Sequence, residues 1–137
     1  MKTTIVILLI TFLAIYGCAE KDRDDMQNVD MPTAEYQRIT PEQAKEMLDN
    51  NEDIILLDVR TQEEFKEKRI PGAILLPDFM ITDSASEELP DKNAVILIYC
   101  RSGRRSENAA RELIDMGYKN VYDFGGINDW EFETESG

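Results

Sequence analysis

The stretch VILIYCRSGRRS, Val95 to Ser106, changes character at its midpoint. Val95 to Tyr99 is apolar throughout, with no alternating polar positions, as in a strand covered on both faces. After Cys100 come three arginines, two serines and a glycine. The next segment, ENAARELIDMGY (Glu107–Tyr118), places Ala109, Ala110, Leu113, Ile114 and Met116 on one side of a helix, with Gly117 at the position of a C′ cap. The order is therefore buried strand, tight polar loop, amphipathic helix.

The same grammar extends outward. DIILLDVR (Asp53–Arg60) contains a second continuous apolar run, Ile54 to Leu57. Before it, TPEQAKEMLDN has a helix start with Thr40 at the N-cap, Pro41 at N1 and Gln43 closing a capping box. After it, TQEEFKEKR reads as a short helix with a second box, Thr61 with Glu64. YQRIT is expected to supply a short first strand, IPGAILLPD a turn and short strand, and NVYDFGG the last strand. Phe79 to Asn93 reads as polar and irregular with some helix, and INDWEF as a closing helical turn. Strands separated by helices, two of them apolar throughout, predict an α/β domain. Its sheet is expected to have about five strands, mostly parallel, with helices on both faces. Ligands in such folds bind beyond the C-terminal strand ends, and Cys100, Asp58 and Arg60 all fall there.

With 137 residues the chain is long enough for one ordinary domain. It carries 15 basic and 28 acidic residues, a net charge of −13. That balance argues against nucleic acid as a partner and leaves small anions possible only where the positive field is local. There is no histidine. A Ser-His-Asp triad, a Cys-His pair and an imidazole-dependent zinc site are excluded.

The N-terminus reads as an address. Met1-Lys2 precedes an apolar run of twelve residues, Ile5 to Tyr16, shorter than the roughly 20 that span a bilayer. IYGCAE then resembles the lipobox of bacterial lipoproteins. Residues 1–17 are expected to be a lipoprotein signal peptide, and Cys18 the lipidated residue that associates the protein with a membrane. Residues 18–34 form an acidic tether and 35–137 the globular domain. The expected location is the bacterial cell envelope outside the cytoplasm, on the outer membrane if the source is Gram-negative, because Ala19 is not an inner-membrane retention Asp. Cys100 is then the one thiol left without a partner.

Loop amides turned inward after Cys100, the following helix N-terminus, and Arg101, Arg104 and Arg105 together make an anion-binding environment. Gly103 lets the backbone turn. A thiol held there is expected to be available as thiolate without a histidine. Ser102 and Ser106 either cap the helix, contact substrate, or do both. Asp58 and Arg60 are expected to support the site, as a buried pair with neighbours such as Glu63 or Glu64.

CRSGRRS resembles the active-site loop of rhodaneses, the sulfurtransferases. LLDVR resembles the family's strand-end Asp-x-Arg, EEFKEKRIPGAILLP its E-F-x-x-G-H-I-P-G-A-x-x-I-P stretch, and VYDFGGINDW its Gly-Gly-x-x-x-W signature. One departure is Lys68-Arg69, where the family commonly has Gly-His. The resemblance implies a rhodanese-like fold and Cys100 as the nucleophile that takes a sulfane sulfur as a persulfide. The donor would be thiosulfate or a similar small anion, the acceptor a thiol or cyanide. It also implies donor binding by Arg101, Ser102, Gly103, Arg104, Arg105 and Ser106, and no metal or organic cofactor. A non-catalytic anion- or partner-binding module is the alternative. A Cys-based phosphatase or arsenate reductase is disfavoured, because those loops follow C-x5-R and here the sixth residue after Cys100 is Ser106.

Overall fold

A computed structural model describes residues 34–137. The expected signal peptide, Cys18 and nearly all of the tether lie outside the described residues. Five strands form one sheet: β1 (Gln37–Arg38), β2 (Ile55–Asp58), β3 (Ile74–Leu75), β4 (Val95–Cys100) and β5 (Asn120–Gly126). Their order is β1-β5-β4-β2-β3 and every pairing is parallel. The helices are α1 (Pro41–Asn50), α2 (Gln62–Glu67), α3 (Ile81–Glu88) and α4 (Arg104–Asp115).

The continuous apolar runs have the reason given for them. Strand β4 is central. Its Ile96, Ile98 and Cys100 join Ile81 and Ala85 of α3 and Ala109, Ala110 and Leu113 of α4 in one core. Its Leu97 and Tyr99 join Ala44 of α1, Ile70 and Trp130 in another. Alternate residues of one strand thus serve two cores, so no position on it is left for a polar residue.

Both capping boxes form, Thr40 with Gln43 and Thr61 with Glu64. The predicted C′ glycine, Gly117, closes α4. The Gly117 amide donates to Ile114 O, and the Tyr118 amide to Leu113 O, the paired bonds of a Schellman turn. The segment read as irregular is more ordered than expected. Asp78–Met80 is a 3-10 turn leading into α3, and Ile81, Ala85 and Leu89 are fully buried at four-residue spacing. That stripe is only three residues wide and is diluted by polar neighbours, which hides its period. Helix α4 also starts three residues before Glu107, so Arg104, Arg105 and Ser106 lie on its first turn and not in the loop.

The chain leaves β2 toward β3 on one side and leaves β4 toward β5 on the other. The connections after β2 and β4 diverge, which opens a crevice at the C-terminal ends of these two neighbours. Asp58 and Cys100 end the two strands that border it.

Candidate active site

Cys100 is buried and free. The Gly103 amide donates to its sulfur at 3.0 Å. Gly103 is the N-cap of α4 with φ of 105°, a conformation that favours glycine, so the backbone turns back over the sulfur at that residue. The capping role considered for Ser102 and Ser106 belongs to Gly103; Ser102 is exposed and supplies no cap bond. The Ser106 side chain is fully buried, and its hydroxyl lies 3.1 Å from Gly103 O and 3.2 Å from Gly125 O. It ties the helix start to β5. The hydroxyl expected as a donor contact is thus committed to main-chain carbonyls.

The Gly-Gly pair of β5 explains how this loop is held. Ladder partners run from Ile98↔Asp123 to Cys100↔Gly126, so β5 has one residue more than β4 across this step. The bulge brings Gly126 against the backbone of Arg101 and Ser102, so closely that a Cβ there would collide with both. Just beyond, the Asn128 amide donates to Arg101 O at 3.2 Å. The loop thus rests on backbone with no side chain between.

The three arginines differ. Arg101 and Arg104 are exposed and, among the described residues, neither guanidinium has a hydrogen-bond or ion-pair partner. Arg105 is partly buried and forms a two-point pair with Glu64, Nη1 to Oε2 and Nη2 to Oε1, both 2.8 Å. The hydrogen bonds to Glu64 in turn raise the Arg105 pKa above its ordinary value. The Arg105 hydrogen bonds hold the Glu64 carboxyl down at about 2 against the opposing effect of burial.

Asp58 and Arg60 pair with each other, not with Glu63 or Glu64 as the sequence suggested. Arg60 Nε donates to Asp58 Oδ1 at 3.0 Å and Nη2 to Oδ2 at 2.6 Å, with both residues buried. The second nitrogen also donates to Lys68 O at 2.6 Å. The Ile70 amide donates to the Tyr99 hydroxyl at 3.2 Å, and Arg60 stacks 5.5 Å over the Tyr99 ring. The pair therefore fastens the Lys68–Ile70 segment to the ends of β2 and β4. It holds the rim against Tyr99, which belongs to one core, whereas Cys100 packs in the other. A cavity of about 190 Å³ beside the cysteine loop is lined by Arg60, Glu64, Glu67, Lys68, Arg101 and Asn128, among others.

Sequence reasoning missed two contributors. Glu64 was legible as a cap, but its second partner is 41 residues away. The Asn128 amide carries no side-chain signal at all.

A buried thiol with an amide aimed at it, at a helix N-terminus and among arginines, can act as a nucleophile toward small anions. Residues 40–133 match the rhodanese-like domain. A sulfurtransferase of Allochromatium vinosum is 40% identical over 93 residues, 67% of this chain and 85% of the relative. The thiosulfate sulfurtransferase PspE of Escherichia coli is 36% identical over 73 residues, 53% of this chain and 70% of the relative. A solved structure described as a rhodanese with anions from E. coli superposes with a TM-score of 0.58 at 32% identity, covering 61% of this chain and 99% of the other. The chain spans only 24% and 52% of the length of two other curated relatives. The family match takes in every element that builds the cradle, from the cap of α1 to the turn beyond β5, and the chain belongs to the rhodanese-like domain family.

Proposed function

We propose that this protein is a sulfurtransferase that moves a sulfane sulfur from thiosulfate, or a similar anionic donor, to a thiophilic acceptor such as cyanide or a thiol. The observation that carries the reading is the Gly103 amide on the Cys100 sulfur at 3.0 Å, because a cysteine persulfide needs donors aimed at a sulfur anion. Cys100 attacks the outer sulfur of the donor, and sulfite leaves with the bonding pair. The acceptor then takes the terminal sulfur and returns Cys100 to thiolate, a ping-pong cycle. Loop and first-turn amides from Arg101 to Ser106 face the persulfide, and Arg101 and Arg104 supply mobile charge for the incoming anion. Relatives named as sulfurtransferases and thiosulfate sulfurtransferases support this chemistry.

The test is thiocyanate release from thiosulfate and cyanide by the purified protein and its Cys100→Ser variant, with intact mass after thiosulfate alone. The parent is expected to turn over and to gain one sulfur atom, and Cys100→Ser to do neither. A parent that stays unmodified by thiosulfate, polysulfide and mercaptopyruvate would refute the reading in favour of a non-catalytic binding module.

The lipid anchor on Cys18 and an envelope location are proposed from the lipobox-like IYGCAE. Incorporation of labelled palmitate into the parent but not into Cys18→Ser, on expression in a bacterium, tests both. Equal labelling of the two proteins would exclude lipidation at Cys18.

A further inference from the structure

The two capping boxes permit an internal comparison. In α1 the N3 residue is Gln43, whose Oε1 accepts the Thr40 amide at 2.9 Å. In α2 it is Glu64, whose Oε2 accepts the Thr61 amide at 3.0 Å. An amide side chain satisfies the box as well as a carboxylate does, so the helix does not need the charge of Glu64. The charge has another partner. Both Glu64 oxygens are taken by Arg105, which lies on the first turn of α4 two residues after Gly103, the residue whose amide holds the Cys100 sulfur. The end-on pairing uses the two Nη groups and leaves Arg105 Nε without a partner among the described residues. Arg105 is therefore held in place at the start of the helix that follows the cysteine loop, with its charge largely cancelled. Arg101 and Arg104 remain as the uncompensated arginines of the site.

We propose that Glu64 is a specificity-determining residue: by pairing with Arg105 it reduces the positive field that the sulfur donor meets, and so lowers the advantage of dianionic over monoanionic donors. This inference rests on the sulfurtransferase reading. Two donors of nearly the same shape isolate it. Thiosulfate is a dianion. Methanethiosulfonate carries a methyl group in place of one oxygen and is a monoanion. In each case a bond forms between Cys100 Sγ and the donor's outer sulfur. The donor's sulfur–sulfur bond breaks, and its electron pair leaves on sulfite or on methanesulfinate. A fixed charge near the site acts about twice as strongly on the dianion. The ratio of kcat/KM for the two donors therefore reports the charge, while damage to the fold lowers both values together.

The experiment measures this ratio, with cyanide as acceptor and at constant ionic strength, for the parent, Glu64→Gln, Glu64→Asp and Arg105→Gln, each with its Tm. Glu64→Gln keeps the capping box and removes the charge. It is expected to raise the thiosulfate-to-methanethiosulfonate ratio about three- to tenfold. Glu64→Asp keeps the charge and is expected to leave the ratio near the parent's even if both rates fall. Arg105→Gln leaves the carboxylate unopposed and is expected to lower the ratio. An unchanged ratio in Glu64→Gln, an equal rise in Glu64→Asp, or no fall in Arg105→Gln would each overturn the inference while leaving the sulfurtransferase reading in place. A parent that uses neither donor would overturn both.

Discussion

Gly126→Ala adds one methyl group at the most crowded point of the site. The new Cβ would stand 2.6 Å from Arg101 C and 2.7 Å from Ser102 Cα, with Arg101 O nearer still. Carbon atoms settle at about 3.5–4.0 Å, so the backbones must part by about 1 Å. All three obstructing atoms are main chain, and no flexible side chain can yield instead. The separation strains two bonds, the Asn128 amide to Arg101 O at 3.2 Å and the Gly103 amide to Cys100 Sγ at 3.0 Å. Overpacking of this kind costs about 1–3 kcal/mol, and a weakened backbone bond about 1 kcal/mol more. For a domain of this size a loss of 2–4 kcal/mol lowers Tm by roughly 10–20 °C. Misplacing the cradle by about 1 Å lowers kcat/KM by about 100-fold. Thiocyanate release and a thermal melt measure both effects. Gly125→Ala is the control. Its Cβ meets nothing within 4 Å, so it carries only the strain of a φ of 90°, about 1–3 kcal/mol, without pushing the loop. A Gly126→Ala protein with Tm within a few degrees of the parent and activity within twofold would refute the account of how the loop is held.

Acid should probe the Glu64–Arg105 pair. Glu64 is held at about 2 in the folded protein against an ordinary 4.5, so its stabilisation is complete above pH 4.5 and is lost as pH falls through 2. The shift caps this at about 3 kcal/mol, and solvent at the partly exposed pair reduces it to about 1–2 kcal/mol. Urea denaturation at pH 5 and pH 2.5 should show that loss in the parent and a smaller one in Arg105→Met; equal losses would refute it. Asp58→Ala leaves Arg60 buried without its carboxylate and should destabilise by about 3–5 kcal/mol, measured by denaturant melts. A cost under 1 kcal/mol would show that the pair does not hold the rim.

What could be read along the chain was whatever is decided within a few residues. Thr40 meets Gln43 and Thr61 meets Glu64 three positions on, and α4 ends at Gly117, where the Gly117 and Tyr118 amides donate to Ile114 and Leu113. Helix starts and stops of this kind depend on local geometry, and the apolar runs of β2 and β4 state their burial directly. Cys100 was legible for the same reason, as the first residue after such a run and the start of a basic loop. The strand order, the choice of Arg105 as partner for Glu64 and of Arg60 for Asp58, and the approach of Gly126 to Arg101 were decided by the tertiary structure. Glu64 has Arg60 four residues before it and Arg69 five after it, yet pairs with an arginine 41 residues away. No local rule ranks those candidates. Parallel packing of β4 between β2 and β5 brings the chain connections to one rim, and only that placement determines which charges are close enough to pair and which backbones must touch.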